Sequence, residues 1–289
     1  MQNKPDVLGQ VLGQRRQVSE RLAQIQHVLA VMSGKGGVGK SALTANLAAS
    51  LAARGRAVGV LDADLNGPSA AAMLGARGQP VLIGPTGARP AIGVADVKVM
   101  SMDLFLGRDD RPLTWKHAGG LAADNFTWRG TLEANVLREY LGDTDWGALD
   151  YLLIDMPPGA DRFETLVRFV PGLSGTVVVT IPSQVSQLVV RRAVQSAQQA
   201  GARLLGLVEN MAGLVDADGE VTGALFPGAG GQSFAAEMGI PFLGSVPFDP
   251  RLSQATDAGR PYVLTGEDTL VGRAILALAD QIERAVRAL

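Results

Sequence analysis

Short apolar runs recur along the chain, and each enters a cluster of Gly, Pro, Asp or Asn: "HVLAVMS", "AVGVLDAD", "YLLIDMPPG", "GTVVVTIPS", "LLGLVENM" and "FLGSVPFD". Continuous Val, Ile and Leu without alternation is the pattern of strands covered on both faces. The segments between them carry apolar residues at helical spacing. Leu43, Leu47 and Leu51 lie along "ALTANLAASLAARG", which Gly55 closes, and residues 185 to 200 form another such stretch. Strand followed by helix, repeated, predicts an α/β fold: an open, doubly wound, mostly parallel sheet with helices on both faces. Ligands of such sheets lie beyond the carboxyl ends of the strands. Those ends carry Lys40, Asp62, Asp64, Asp155 and Asn210.

The two ends of the chain are amphipathic. Residues 1–26 read as a polar helical arm with Leu8, Leu12, Val18, Leu22 and Ile25 along one side, preceding a single domain at residues 27–289. The stripe alone fits a helix docked on the domain, a partner contact or a membrane contact. Near the C-terminus Val271, Ile275, Leu278, Ile282 and Leu289 form a second stripe. Its opposite face mixes Arg273 and Arg287 with Asp280 and Glu283, unlike the basic face of a membrane-surface helix, so it reads as core packing.

Composition narrows the function classes. A chain of 289 residues, 47% hydrophobic, can bury the core of one large domain. It contains no cysteine, and no charged-then-apolar leader opens it, which together predict a cytoplasmic protein without disulfides. No apolar run is long enough to span a membrane. A net charge of -2 argues against a dedicated nucleic-acid binder, and Arg191 and Arg192 read as a solvated helix face. His27 and His117 have no metal-ligand spacing and read as ordinary structure.

The chemistry concentrates in "VMSGKGGVGKSALTANLAASLAARG". Gly34, Gly39, Lys40 and Ser41 fit G-x-x-x-x-G-K-[ST], placed as physics requires between an apolar strand and a helix. The loop Gly34, Lys35, Gly36, Gly37, Val38, Gly39, Lys40, Ser41 and Ala42 would cradle phosphates with backbone amides, Lys40 facing the β and γ groups and Ser41 a Mg²⁺ ion. Lys35 is not required by that pattern. Asp155, ending an apolar strand, suits an acid that holds a hydrated metal, although strand-end aspartates also serve as turn or helix caps. Asp62 and Asp64 alternate along a strand end and need not face the same way.

The segments "SGKGGVGKS", "LDADLNGPS", "WRGTLEANVLREYLGDTDWGALDYLLIDMPPG", "GLVENM" and "PGAGGQSFAAEMGIPFLGSVPFDPRLSQATDAGRPYV" resemble the Mrp/ApbC family of P-loop ATPases, relatives of MinD and ParA with the deviant Walker A loop. The likeness runs from about His27 to Val263 and leaves out residues 1–26 and the stretch around "KHAGGLAADNF". It implies slow ATP hydrolysis by a homodimer that forms on ATP binding and works with a protein partner. It implies that Lys35 reaches the partner subunit's phosphates, that Lys40 and Ser41 engage phosphate and Mg²⁺, and that Asp64 positions the attacking water. Asp62 and Asp155 would complete the magnesium shell, while Asn210 and the loop Pro247, Phe248 and Asp249 would hold the adenine.

Two departures qualify the resemblance. The family's C-x-x-C after "ENM", which binds a bridging iron-sulfur cluster, is absent, and Asp216 and Gly219 stand at its positions. Neither replaces a thiolate, so no self-ligated cluster is expected. "DADG" between two Val-containing runs reads as a hairpin turn, with a hard-metal site formed by Asp216, Asp218 and Glu220 as the alternative. The second departure is "PPGADR" in place of "PPGTGD", in the loop that senses the γ-phosphate. Two functions follow: a cluster carrier or scaffold ATPase, or a MinD/ParA-like adaptor switched by nucleotide.

Overall fold

The computed structural model describes residues 7–105 and 126–288, except Ala160, Pro171 and Ala229. His117, the Ala160 position of "PPGADR", nearly all of "KHAGGLAADNF", residues 1–6 of the arm and Leu289 lie outside the described residues.

Helix α1 (Val7–Leu22) leads into β1 (Ile25–Ser33), and the glycine loop joins β1 to α2 (Lys40–Ala53). β2 (Val58–Asp62) and α3 (Ala70–Met73) precede four short strands, β3 (Leu82–Gly84), β4 (Gly87–Arg89), β5 (Ala91–Ile92) and β6 (Lys98–Met100). Then come α4 (Phe126–Gly142), β7 (Leu149–Asp155), α5 (Asp161–Phe169), β8 (Gly175–Thr180), α6 (Gln184–Gln199), β9 (Leu204–Val215) and β10 (Val221–Gly223). The chain closes with α7 (Gly231–Glu237), β11 (Phe242–Phe248), α8 (Pro250–Asp257), a 3₁₀ turn at Tyr262–Leu264 and α9 (Leu270–Arg287).

The sheet runs β5-β6-β2-β7-β1-β8-β9, with β11 beside β9 from Leu207 to Leu214 and β10 beside the end of β9 at Leu214 and Val215. Its pairings are parallel except those of β5 with β6 and β10 with β9. This is the mostly parallel sheet expected from the apolar runs. Register sets Asp62 and Val31 on either side of Asp155, at one level of the carboxyl edge. One apolar layer joins Leu43, Leu47 and Leu51 of α2 to Ile275, Leu278 and Ile282 of α9. The other joins Val18, Leu22, Leu141, Phe163, Val190 and Phe234, from α1, α4, α5, α6 and α7. Helices therefore cover both faces.

The described part of the arm is docked on α4. Val18 and Leu22 are buried, Gln17 donates to Asp143 at 2.7 Å, and Arg21 donates to the Gly142 carbonyl at 3.2 Å. The C-terminal stripe is likewise core, with Thr269 capping α9 through the amide of Gly272. Arg191 corrects the reading of a solvated face: it bonds Glu237 at 2.8 Å and lies over the Phe234 ring, pinning α6 to α7. At the far edge, Gln79 donates to the carbonyl of Ile92 and accepts from its amide, so one carboxamide occupies the place of a next strand.

Candidate functional site

The loop between β1 and α2 is held from below by neighbours that fix its glycines. A Cβ at Gly34 would lie 2.6 Å from the amide nitrogen of Val190, so only glycine lets the loop rest on the backbone of α6. Gly39 adopts φ 79°, open to glycine, and the amide of Asn210 fills the space beside it. Asn210 also donates to the Val38 carbonyl at 2.8 Å, and Ser33 Oγ donates to the Lys35 carbonyl at 3.0 Å. Helix α2 begins at Lys40 with no side-chain cap and no acid in its first turn. Its free N–H groups therefore present a positive end to the loop.

Inside that end, Lys40 is buried, and its ammonium donates to Asp155 Oδ1 at 2.6 Å. Thr44, one turn further along α2, donates to the same oxygen at 3.2 Å, and Lys40 Nζ stands 3.3 Å from Ser41 Oγ. Asp155 Oδ2 is buried with no hydrogen-bond partner among the described residues. Asp62 is occupied differently: Oδ2 accepts from the amides of Ser69 and Ala70 and from Ser101 Oγ, while Oδ1 accepts from the Asp64 amide. Burial first, then the charge of Asp155, pushes the Asp62 carboxyl up to about 7 against the pull of those donors. Asp64 sits half-buried on the following loop, accepting from Gly67.

Lys35 is half-buried at the loop's start, and its ammonium has no partner among the described residues. Pro247 and Phe248 are half-buried at the end of β11, whose Val246 lies in register with Asn210. The loop 247–249 thus borders the glycine loop. Asp249 is buried and caps α8 through the Arg251 amide. Burial raises its carboxyl pKa, but bonds from Arg251 and Tyr262 prevail and hold it below the usual carboxylate value. Sequence reasoning missed Thr44, Ser101 and Asn46. The four-residue spacing of Thr44 from Lys40 was an available signal. Ser101 follows a strand too short to read.

The donor set fits a hard cation. Ser41 Oγ and the unpartnered Asp155 Oδ2 are oxygen donors at the positive loop, as magnesium requires. It does not fit an iron-sulfur cluster. The β9–β10 hairpin carries Asp216 and Gly219 where thiolates would stand, and Asp216 Oδ1 already accepts from the amides of Asp218 and Glu220. Among the described residues no group of three His, Cys, Asp or Glu side chains is placed to hold a metal. No helix among them is long and apolar enough to cross a membrane.

Comparison with known proteins extends this picture. Residues 24–283 match the family model of ParA, the NUBPL iron-transfer P-loop NTPases. An iron-sulfur cluster carrier protein of Saccharolobus solfataricus is 41% identical, over 93% of this chain and 87% of its own. One from Methanocaldococcus jannaschii is 37% identical, over 90% and 86%. Among solved structures, a nucleotide-binding protein from Archaeoglobus fulgidus in complex with ADP has a TM-score of 0.70 at 36% identity, covering 86% of this chain and 92% of that one. The cell division ATPase MinD of Pyrococcus furiosus shares the fold at 23% identity, with a TM-score of 0.63 over 90% of this chain and 99% of its own.

Proposed function

The chain belongs to the ParA-type family of NUBPL iron-transfer P-loop NTPases, and from that premise we propose that it binds ATP with Mg²⁺ and hydrolyses it slowly as a nucleotide-gated homodimer. The observation that carries the reading is the buried Lys40 at the uncapped start of α2, aimed into a glycine loop. With nucleotide absent, Lys40 neutralises Asp155. With phosphate present, its ammonium exchanges that carboxylate for the β and γ oxygens, a stronger concentration of charge. Ser41 and Asp155 would hold magnesium, with Asp62 ordering the surrounding loop, and the ion would supply charge neutralisation to the transferring group. Asp64 orients the attacking water. Asn210 and the loop Pro247, Phe248 and Asp249 shape the base pocket. Lys35 contributes its cation across a two-fold axis. Phosphoryl transfer needs little else than such positioning and neutralisation.

Replacing Lys40 with alanine tests the reading: calorimetry is expected to find ATP binding abolished. Unchanged affinity would end it.

For cargo, the relatives' names point to iron-sulfur clusters. A second reading is favoured by the hairpin closed on Asp216 in a chain without cysteine. In that reading ATP switches an adaptor that acts through a protein partner, in the cytoplasm, and any cluster is held by partner thiolates.

A further inference from the structure

The two halves of the proposed nucleotide pocket are joined underneath by one buried chain of hydrogen bonds. Asn46 lies on the second turn of α2, fully buried. Its Nδ2 donates to the carbonyl of Ala42, next to Ser41, at 2.8 Å, and its Oδ1 accepts from the amide of Val263 at 3.0 Å. The neighbouring Tyr262, also buried, donates its hydroxyl to Asp249 Oδ2 at 3.2 Å. Asp249 in turn caps α8 and terminates the loop after Pro247 and Phe248. A single 3₁₀ turn, Tyr262–Leu264, therefore ties the helix of the phosphate loop at one end and the loop 247–249 at the other.

We infer that Tyr262 is a positioning residue for nucleotide, holding Asp249, where the chain leaves β11, in place against the helix of the phosphate cradle. The inference rests on the nucleotide reading of the site and deepens it. The register of Val246 with Asn210, whose amide supports Val38, puts the loop at the cradle's side. The pairing of β11 with β9 carries the strand as far as Phe248, opposite Leu214, and Asp249 is the first residue beyond it. Asn46 and Tyr262 tie that exit to α2, because both are buried and their partners are backbone or a buried carboxylate. A buried hydroxyl bonded to a carboxylate is worth more than a neutral pair, so its loss leaves Asp249 held, among the described residues, by Arg251 of α8 alone and cuts its tie to α2, without removing any group that touches phosphate.

A ligand that spans both halves should feel this release, and one confined to the phosphates should not. Affinities for MgATP and for magnesium tripolyphosphate, measured by calorimetry in the full chain and in Tyr262→Phe, separate the cases. ATP is expected to weaken about fivefold, with tripolyphosphate changed by less than about twofold. Equal losses for both probes would mean a general disturbance of the fold, and no loss for either would mean no linkage; each overturns the inference. If the phenylalanine variant melts below the assay temperature, the same two affinities are measured in the cold, below its melting transition, with the same expectation. A parent chain that binds ATP no better than tripolyphosphate also refutes it, because the loop 247–249 then contributes nothing. Failure of the phosphate-loop reading looks different: Lys40→Ala would leave tripolyphosphate binding intact.

Discussion

At the level of single residues, the site is a contest over few charges in a dry place. Lys40 and Asp155 neutralise each other, leaving Asp62 as the neighbouring carboxyl that must share a buried level of the sheet with Asp155. Its pKa, raised to about 7 by burial and by Asp155, has a sign that can be followed into stability. The folded chain holds that proton more tightly than the unfolded chain, whose aspartates titrate near about 3.9. The stabilisation is complete below that value and is lost as pH rises through about 7. The melting temperature of the nucleotide-free chain in magnesium-free buffer is therefore expected to fall between about pH 5 and about pH 8. Asp62→Asn, which cannot titrate, should flatten the fall. An undiminished slope in calorimetry of the variant would remove Asp62 as its source. Lys35 lies at the opposite extreme, a partly exposed cation without a partner among the described residues.

Elements explain what the sequence made legible. Strands β2, β7, β8 and β11 were readable because each is a continuous apolar run ending in a turn residue, and the loop after β1 because its glycines and lysine have fixed spacing. Strands β3 to β6 were not, since "QPVLIGPTGARPAIGVADVKVM" breaks its apolar residues with Gly and Pro before any period develops. Gly34 was assigned to phosphate by its motif, whereas the structure gives it a packing duty against α6. Only tertiary proximity reveals that duty. The β9–β10 hairpin shows local chemistry deciding: "DADG" turns because Asp216 accepts two amides of its own turn. A hairpin of this kind offers no thiolate and an already satisfied carboxylate. Anaerobic reconstitution of the purified chain with iron and sulfide is expected to yield no stoichiometric cluster by visible absorbance. A stable cluster would restore the carrier reading for the chain alone.

For the whole molecule, the question is whether it works singly or in pairs. A closed two-fold arrangement would place each Lys35 in the opposite pocket, so one substitution removes two cations from one interface. ATP, bound by the pair more tightly than by single chains, would then drive association by mass action, and ADP would not. In an Asp64→Ala background that retains ATP, sedimentation is expected to show an ATP-dependent dimer, which Lys35→Ala abolishes while leaving ATP bound to monomers. A dimer that persists in the double variant would sink the cross-subunit role.

The Gln79 carboxamide at the rim of β5 has a consequence of a different kind. A sheet whose last strand shows bare amides and carbonyls invites any extended chain to continue it, and crowded protein solutions offer many. Here the outward pair on Ile92 is already spoken for by a side chain. Strand addition is blocked at that residue of the rim, so the association expected on ATP binding can be told apart from mere stickiness of this edge.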